Sequence, residues 1–309
     1  MATTQTYSGL SAEQKTFYNR TLLSRLLPTL VFAKYGQKKS APKREGDTMN
    51  FRKFNSLAAA TTPLTEGVTP AGKSLSITAV TATVKQYGDY VEISDKLDMV
   101  GIDPVLTETG ELLGEQAGLT VDTIVRDEVC AGTNVQYANS KGSRGAVAKT
   151  DVLNSTEVRK AVRTLRKANA KPIDGKSFVG IVGADGEFDL MSDPYWQDVS
   201  KYAASTQIFD GELGKLGGVR FVRASNTPVF AGEGGSSADV HATMIIGKDA
   251  YGIVDIEGSS KPEMIVKPHG SAGSADPLNQ RATSGWKALF TAKRLEELAM
   301  VRIEHGVTS

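Results

Sequence analysis

The feature that most constrains this chain is a pair of β-prone runs with nothing of their own to close on. Thr48-Met49-Asn50-Phe51-Arg52-Lys53-Phe54 alternates loosely, as a strand does, and residues 75–93 are dense in Thr, Val and Ile. Between them, residues 57–74 are rich in Ala, Thr, Pro and Gly, with little side-chain volume to pack. This order predicts a hairpin with a long, weakly hydrophobic tip that projects from the body. An isolated two-stranded hairpin is marginally stable in water. The segment is therefore expected to find its partners on another chain.

The flanking segments add to this expectation. Residues 1–10 are small and polar and read as an arm. Ser11 caps a predicted helix to about residue 34, in which Phe17, Leu22, Leu23, Leu26, Leu27, Leu30 and Val31 recur at helical spacing. Pro28 is expected to kink or end it. That apolar face must be covered by the chain's own domain or by a neighbouring subunit. Residues 36–47 form a basic link. Asp103-Pro104 then predicts a second helix start, an Asp cap followed by Pro in the first turn. Running to about Cys130, it would be about 40 Å long at 1.5 Å per residue. Gly110, Gly114 and Gly118 fall on one stripe of it. Each costs about 1 kcal/mol relative to Ala, so the stripe predicts another backbone passing close by. Glu108, Glu111, Glu115 and Asp122 on the same segment exclude a membrane-helix reading of that spacing.

Residues 132–151 are a Gly-, Asn- and Ser-rich loop, and a second unit is expected to begin near Asp151. Asn154 or Ser155 caps a short basic helix with Val158, Val162 and Leu165 on one side. Strands are predicted at 178–182, 219–222 and 242–246, with short helices at 188–191 and 195–202. The chain turns β-like again at 286–290 and 300–303, while 294–298 looks helical in isolation. Mixed helices and strands in this order point to an α+β fold with an α/β layer.

Bulk properties exclude several classes. With 309 residues, 40% hydrophobic and 23% charged, the chain can bury a sizeable core and is not disordered. A net charge of +1 argues against a dedicated nucleic-acid binder. The single cysteine, Cys130, allows no intrachain disulfide and reads as a small buried hydrophobe. The N-terminus lacks a signal-peptide pattern, and no stretch approaches the roughly 18 apolar residues of a membrane span. Synthesis in the cytoplasm and no membrane partner are the expectation.

Nothing assembles a nucleophile, a base and an oxyanion site, so no enzyme, cofactor or metal is expected. His241, His269 and His305 have no ligand spacing. Asp185, Glu187 and Asp189 read as a solvated helix start. One motif competes. Gly67-Val68-Thr69-Pro70-Ala71-Gly72-Lys73-Ser74 fits the phosphate-binding loop pattern G-x-x-x-x-G-K-[ST]. That loop needs a hydrophobic strand before it and a helix behind it. Here residues 58–66 are small and polar, the chain from Leu75 is β-branched, and Pro70 lacks an amide hydrogen. A loop tip is the reading, with a P-loop nucleotide hydrolase as the alternative.

The order of parts, and five segments spread along the chain, carry a resemblance. They are TPLTEGVTP (62–70), DPVLTE (103–108), GTNVQY (132–137), GKLGGVRF (214–221) and VKPHGSAGSADPLNQR (266–281). The chain resembles the major capsid proteins of tailed bacteriophages with the Hong Kong 97-type capsid fold, and at residue level the Enquatro-type coat family. The resemblance implies an N-terminal arm and helix (1–47), an extended β-hairpin loop (48–92) and a peripheral domain (93–150) with a spine helix at 103–130. It implies an axial α/β domain (151–274) and a C-terminal β segment (275–309) returning to the peripheral domain.

The implied function is self-assembly, through hexamers and pentamers, into an icosahedral shell around double-stranded DNA. The DNA would be enclosed but weakly bound, the shell built in the bacterial host cytoplasm and carried in the virion. A scaffolding protein, a portal and a decoration protein are the further partners implied. The lack of a long N-terminal extension favours a separate scaffolding protein. Candidate inter-subunit contacts are Phe17, Leu23, Leu27, Lys53, Glu66, Lys73 and Arg281. An encapsulin-like nanocompartment shell is the alternative of the same fold.

Overall fold

The computed structural model describes residues 31–44, 46–100, 105–196, 212–256, 261–271, 273 and 276–308. The predicted N-terminal helix with Phe17, Leu23 and Leu27, the Asp103-Pro104 cap and most of the 195–202 segment lie outside the described residues. The chain begins with α1 (Phe32–Tyr35), β1 (Gln37–Ala41), β2 (Thr48–Phe54), β3 (Ile77–Thr83), β4 (Lys85–Ser94), α2 (Asp95–Val100) and α3 (Val105–Cys130). Then come β5 (Val135–Tyr137), α4 (Ser155–Lys167), β6 (Phe178–Val182), α5 (Ala184–Ser192), β7 (Glu212–Leu216) and β8 (Val219–Arg223). It ends with β9 (Val229–Phe230), β10 (Val240–Ile246), β11 (Tyr251–Ile256), β12 (Glu263–Lys267), β13 (Arg281–Arg294) and β14 (Met300–His305). The architecture is α+β.

The long strand β13 organises the first sheet. Antiparallel β4 runs along one edge of it, from Arg281 to Phe290. Along the other edge β12 pairs with Thr283 to Lys287 and β11 with Phe290 to Arg294, and β1 adds in parallel to β11. Helix α3 lies on this sheet. Leu113, Ala117, Val121, Val125 and Val129 recur every four residues, and they bury against Trp286, Ala288, Phe290 and Ala292. Burying each larger side chain contributes about 1.5–3 kcal/mol. Trp286 Nε1 donates to Gln116 Oε1 at 3.0 Å, and Gln116 Nε2 donates to Asp89 Oδ2 at 2.7 Å, which ties α3 to both β13 and β4. The Gln116 amide also holds the Asp89 carboxyl below its usual range. Of the glycine stripe, Gly114 and Gly118 are buried within the chain, and a Cβ on Gly110 would meet the Met264 methyl at 3.0 Å. The chain itself covers this stripe. Burial pushes the Cys130 thiol up to about 12, so it stays protonated.

The second sheet runs β5-β14-β10-β6-β8-β7, with β9 at the start of β10. Helix α4 is capped by Asn154, whose Oδ1 accepts from Glu157 N at 3.0 Å. Its Val158, Ala161, Val162 and Leu165 pack on Phe178, Val182, Phe221 and Ile303. Val179 and Ile181 point the other way, into the core shared with α3. This two-sided burial explains why FVGIV is continuously apolar. Gly180 fits because a Cβ there would sit 2.7 Å from the Phe221 ring.

Four expectations are corrected. The 75–93 run is two strands: β3 pairs with β2, whereas β4 leaves for the first sheet, the break being Val84, whose N donates to Asp47 O at 2.7 Å. The second unit starts before Asp151, since β5 pairs with β14. Strand β13 continues to Arg294 and only Glu297–Ala299 forms a 3₁₀ turn, because Tyr251↔Arg294 pairing overrides local helix propensity. The 275–309 segment is split: β13 lies in the sheet under α3, but β14 lies between β5 and β10, where its Val301 and Ile303 join the α4 core.

Two buried polar groups have measurable consequences. Asp122 Oδ1 accepts from both Val31 N and Phe32 N at 3.0 Å, fastening α1 to α3. Burial raises its pKa. Asp122→Ala is expected to cost roughly 1–3 kcal/mol by leaving two N–H groups without an acceptor. The Val31 and Phe32 amides should then exchange hydrogen faster, while Asp122→Asn retains an acceptor and much of the protection.

His305 is fully enclosed, with Nε2 3.0 Å from Thr243 Oγ1 and Nδ1 2.8 Å from Gly306 O. His241, Asp185 and Asp189 are the charged or titratable groups around it. Burial holds its pKa down, to about 4. The folded chain thus refuses a proton that the unfolded chain accepts near pH 6.5. Its contribution is present above that pH and is lost as pH falls toward 4, in total roughly 3 kcal/mol. Denaturant midpoints should fall across this window, and His305→Gln should flatten that part of the profile. An unchanged slope in the variant would assign the acid loss elsewhere.

Candidate inter-subunit surfaces

The projecting hairpin is built from β2 and β3, paired from Thr48↔Thr83 to Phe54↔Ile77. Its base is anchored. Phe51 is buried with Ala82, Val84 and Val254, and a Cβ on Gly252 would meet the Phe51 ring at 2.6 Å. Lys39 Nζ sits 4.6 Å above the same ring. Beyond the base the chain has little to hold. Every residue from Arg52 to Ala79 is exposed. The neck is closed by Asn55 N to Ser76 O at 3.0 Å and Asn55 Nδ2 to Ser76 Oγ at 3.1 Å. Farther out lie a turn from Val68 N to Thr65 O at 3.1 Å and Lys73 Nζ to Ala58 O at 3.4 Å. Phe54, Leu57, Leu64, Val68, Leu75 and Ile77 are all open to solvent, Leu64 at 76%.

A second exposed surface lies on the first sheet and its helices. Among the described residues β4 pairs only with β13, so its outer edge has no strand partner. Tyr90 and Val91 on β4, and Leu97 and Met99 on α2, are exposed, Met99 at 82%. On α3, Leu112 and Leu119, two turns apart, face away from the sheet. The sequence reading missed these residues. The apolar stripe on the inner face of α3 is stronger and masked the signal from Leu112 and Leu119.

The predicted contact residues are placed unequally. Glu66 and Lys73 lie in the exposed tip. Lys53 forms an ion pair with Glu296 on the chain's own body. Arg281 lies 3.2 Å from Glu92, and its N donates to Asp276 Oδ2 at 2.8 Å, closing the loop before β13. The structure does not bring these four together. The Gly67–Ser74 motif has no helix behind it, and its Lys73 and Ser74 run exposed toward β3. Among the described residues no cluster of His, Cys, Asp and Glu could hold a metal ion, and no helix is long and apolar enough to cross a membrane.

No curated protein matches the chain. Solved structures do. The capsid of Ralstonia phage GP4 is 14% identical, with 89% of this chain and 88% of that chain covered and a TM-score of 0.70. The Cyanophage Pam1 capsid asymmetric unit is 17% identical, with 92% of each chain covered and a TM-score of 0.70. The acidic stable capsid of Helicobacter pylori bacteriophage KHP30 is 12% identical, with 87% of each covered and a TM-score of 0.67. These likenesses establish the fold. The family described as phage capsid protein matches residues 77–303, most of the chain, so the chain belongs to that family and has the Hong Kong 97-type capsid fold.

Proposed function

We propose that this chain is the major capsid protein of a tailed bacteriophage, assembling with copies of itself into the icosahedral shell that encloses double-stranded DNA. The observation that carries this reading is the hairpin of β2 and β3. Its base is anchored on the chain's own core, and its tip, apolar side chains included, is exposed and packs against nothing among the described residues. Many modest contacts per subunit suffice in a closed symmetric shell. The hairpin is read as the extended loop, the sheet with α3 as the peripheral domain and the sheet with α4 as the axial domain. Assembly in the bacterial host cytoplasm, with a scaffolding protein, a portal and a decoration protein as partners, belongs to the same proposal. The genome is enclosed and held weakly. Sedimentation of the purified, concentrated protein tests it. Large particles or capsomers are expected, and persistent monomers would defeat it.

A further inference from the structure

The outer face of α4 is more basic than its fold requires. Its thirteen residues carry Arg159, Lys160, Arg163, Arg166 and Lys167 against one acid, Glu157. Glu157 is buried and engaged, accepting from Lys160 Nζ at 2.7 Å and Gln136 Nε2 at 2.8 Å. Arg159, Arg163, Arg166 and Lys167 are exposed and form no ion pair among the described residues. The pairs 159/163 and 163/167 are four residues apart, so like charges face one another and weaken the helix. Cations in the last turn complement the helix dipole, which accounts for Arg166 and Lys167, and Arg159 lies 5.9 Å from the Tyr195 ring centroid, but neither accounts for Arg163. Grooves flank this ridge on both sides. One of about 540 Å³ is lined by Arg159, Arg166, Tyr195 and Gly217, the other of about 320 Å³ by Tyr137, Lys141 and Lys160, and Arg163 borders both.

We propose that this ridge contacts the phosphodiester backbone of the packaged double-stranded DNA and so faces the interior of the shell. The inference rests on the capsid reading, since the genome is the polyanion that such a shell encloses. The row from Arg159 to Lys167 extends about 12 Å along the helix, long enough to meet several phosphates of a duplex carrying one charge per about 1.7 Å. Four or five such contacts give weak, salt-sensitive and sequence-independent binding. This agrees with a net charge of only +1. The interaction positions DNA against the wall without gripping it.

The test uses unassembled full-length subunits and a fluorescent random-sequence duplex of about 20 base pairs, titrated between about 50 and 200 mM salt. The wild type is expected to show a log-affinity against log-salt slope of about −4. The triple variant Arg159→Ala, Arg163→Ala, Arg166→Ala should lose about three units of that slope. The matching triple Arg→Lys variant keeps the charge and should keep the slope. Salt-independent wild-type binding, or an unchanged slope in the alanine variant, would overturn the proposal. So would an alanine variant that binds DNA normally but no longer forms shells, which would make the ridge a site for an acidic protein segment. Micrographs of assembled wild-type protein test the shell reading separately.

Discussion

A chain lacking residues 60–72 is expected to fold as the full-length subunit does and to form no closed shells. The deleted stretch makes little use of its own molecule: its side chains are exposed, and Lys73 Nζ to Ala58 O at 3.4 Å just beyond it is a surface contact. The anchored base, with Phe51, Ala82 and Val254, is untouched. Changes at surface positions of this kind shift stability by no more than about 0.5 kcal/mol, so thermal unfolding should stay nearly the same. Assembly should not, because Leu64, Glu66 and Val68 leave with the tip. Negative-stain micrographs decide the matter. Normal shells from the shortened chain would show that the tip is not an assembly contact.

The largest stability effect is expected at Glu304. Its carboxylate on β14 is 0% exposed and faces two guanidinium groups. Arg144 grips it with Nε and Nη2, each at 2.8 Å, and Arg302 Nε lies 2.8 Å from Oε1. Arg144 also stacks 3.4 Å above the Phe230 ring and pairs with Glu233, so one side chain joins three segments of the second sheet's rim. Removing the carboxylate leaves the half-buried Arg144 and the nearly buried Arg302 guanidinium groups facing each other, with only Glu233 still pairing Arg144. Breaking a buried pair in this way costs roughly 3–5 kcal/mol. Glu304→Ala should therefore lower the thermal midpoint by about 6–10 °C, at about 2 °C per kcal/mol for a chain of this size. Glu304→Gln keeps hydrogen-bond acceptance and should fall between. An alanine variant as stable as the wild type would mean that the network is solvent-relaxed and contributes nothing.

How much of this was legible in the sequence depends on the range of the forces involved. The hairpin was legible because β2 and β3 alternate locally and the tip between them offers nothing to pack. Helix α3 was legible from the Asp103-Pro104 start signal and the run to Cys130, although its four-residue apolar repeat was not used. Strands β6 and β10 announced themselves as short apolar runs buried on both faces. Strands β1 (QKKSA) and β7 (ELGKL) did not, because they are polar edges whose pairing is dictated by the neighbouring backbones of β11 and β8. The parting of β3 from β4 at Val84 has no glycine or proline to mark it. The place of β14 between β5 and β10 is a long-range choice that no local pattern encodes. For the same reason Lys53 reads as a free charge in sequence, yet it reaches Glu296 across most of the chain. The tip was readable as a surface because absence of packing is a local property. The exposed pair Leu112 and Leu119 was not, because exposure on a helix depends on which face the sheet takes.

Hydrogen exchange along residues 56–75, compared between free subunits and assembled particles, addresses the central claim most directly. In the subunit these amides should exchange fast, since the tip is exposed throughout and few of its backbone groups are hydrogen-bonded. On the proposed function a neighbouring subunit covers them in the particle, and exchange there should slow by about tenfold or more. Equal rates in the two states would contradict the account.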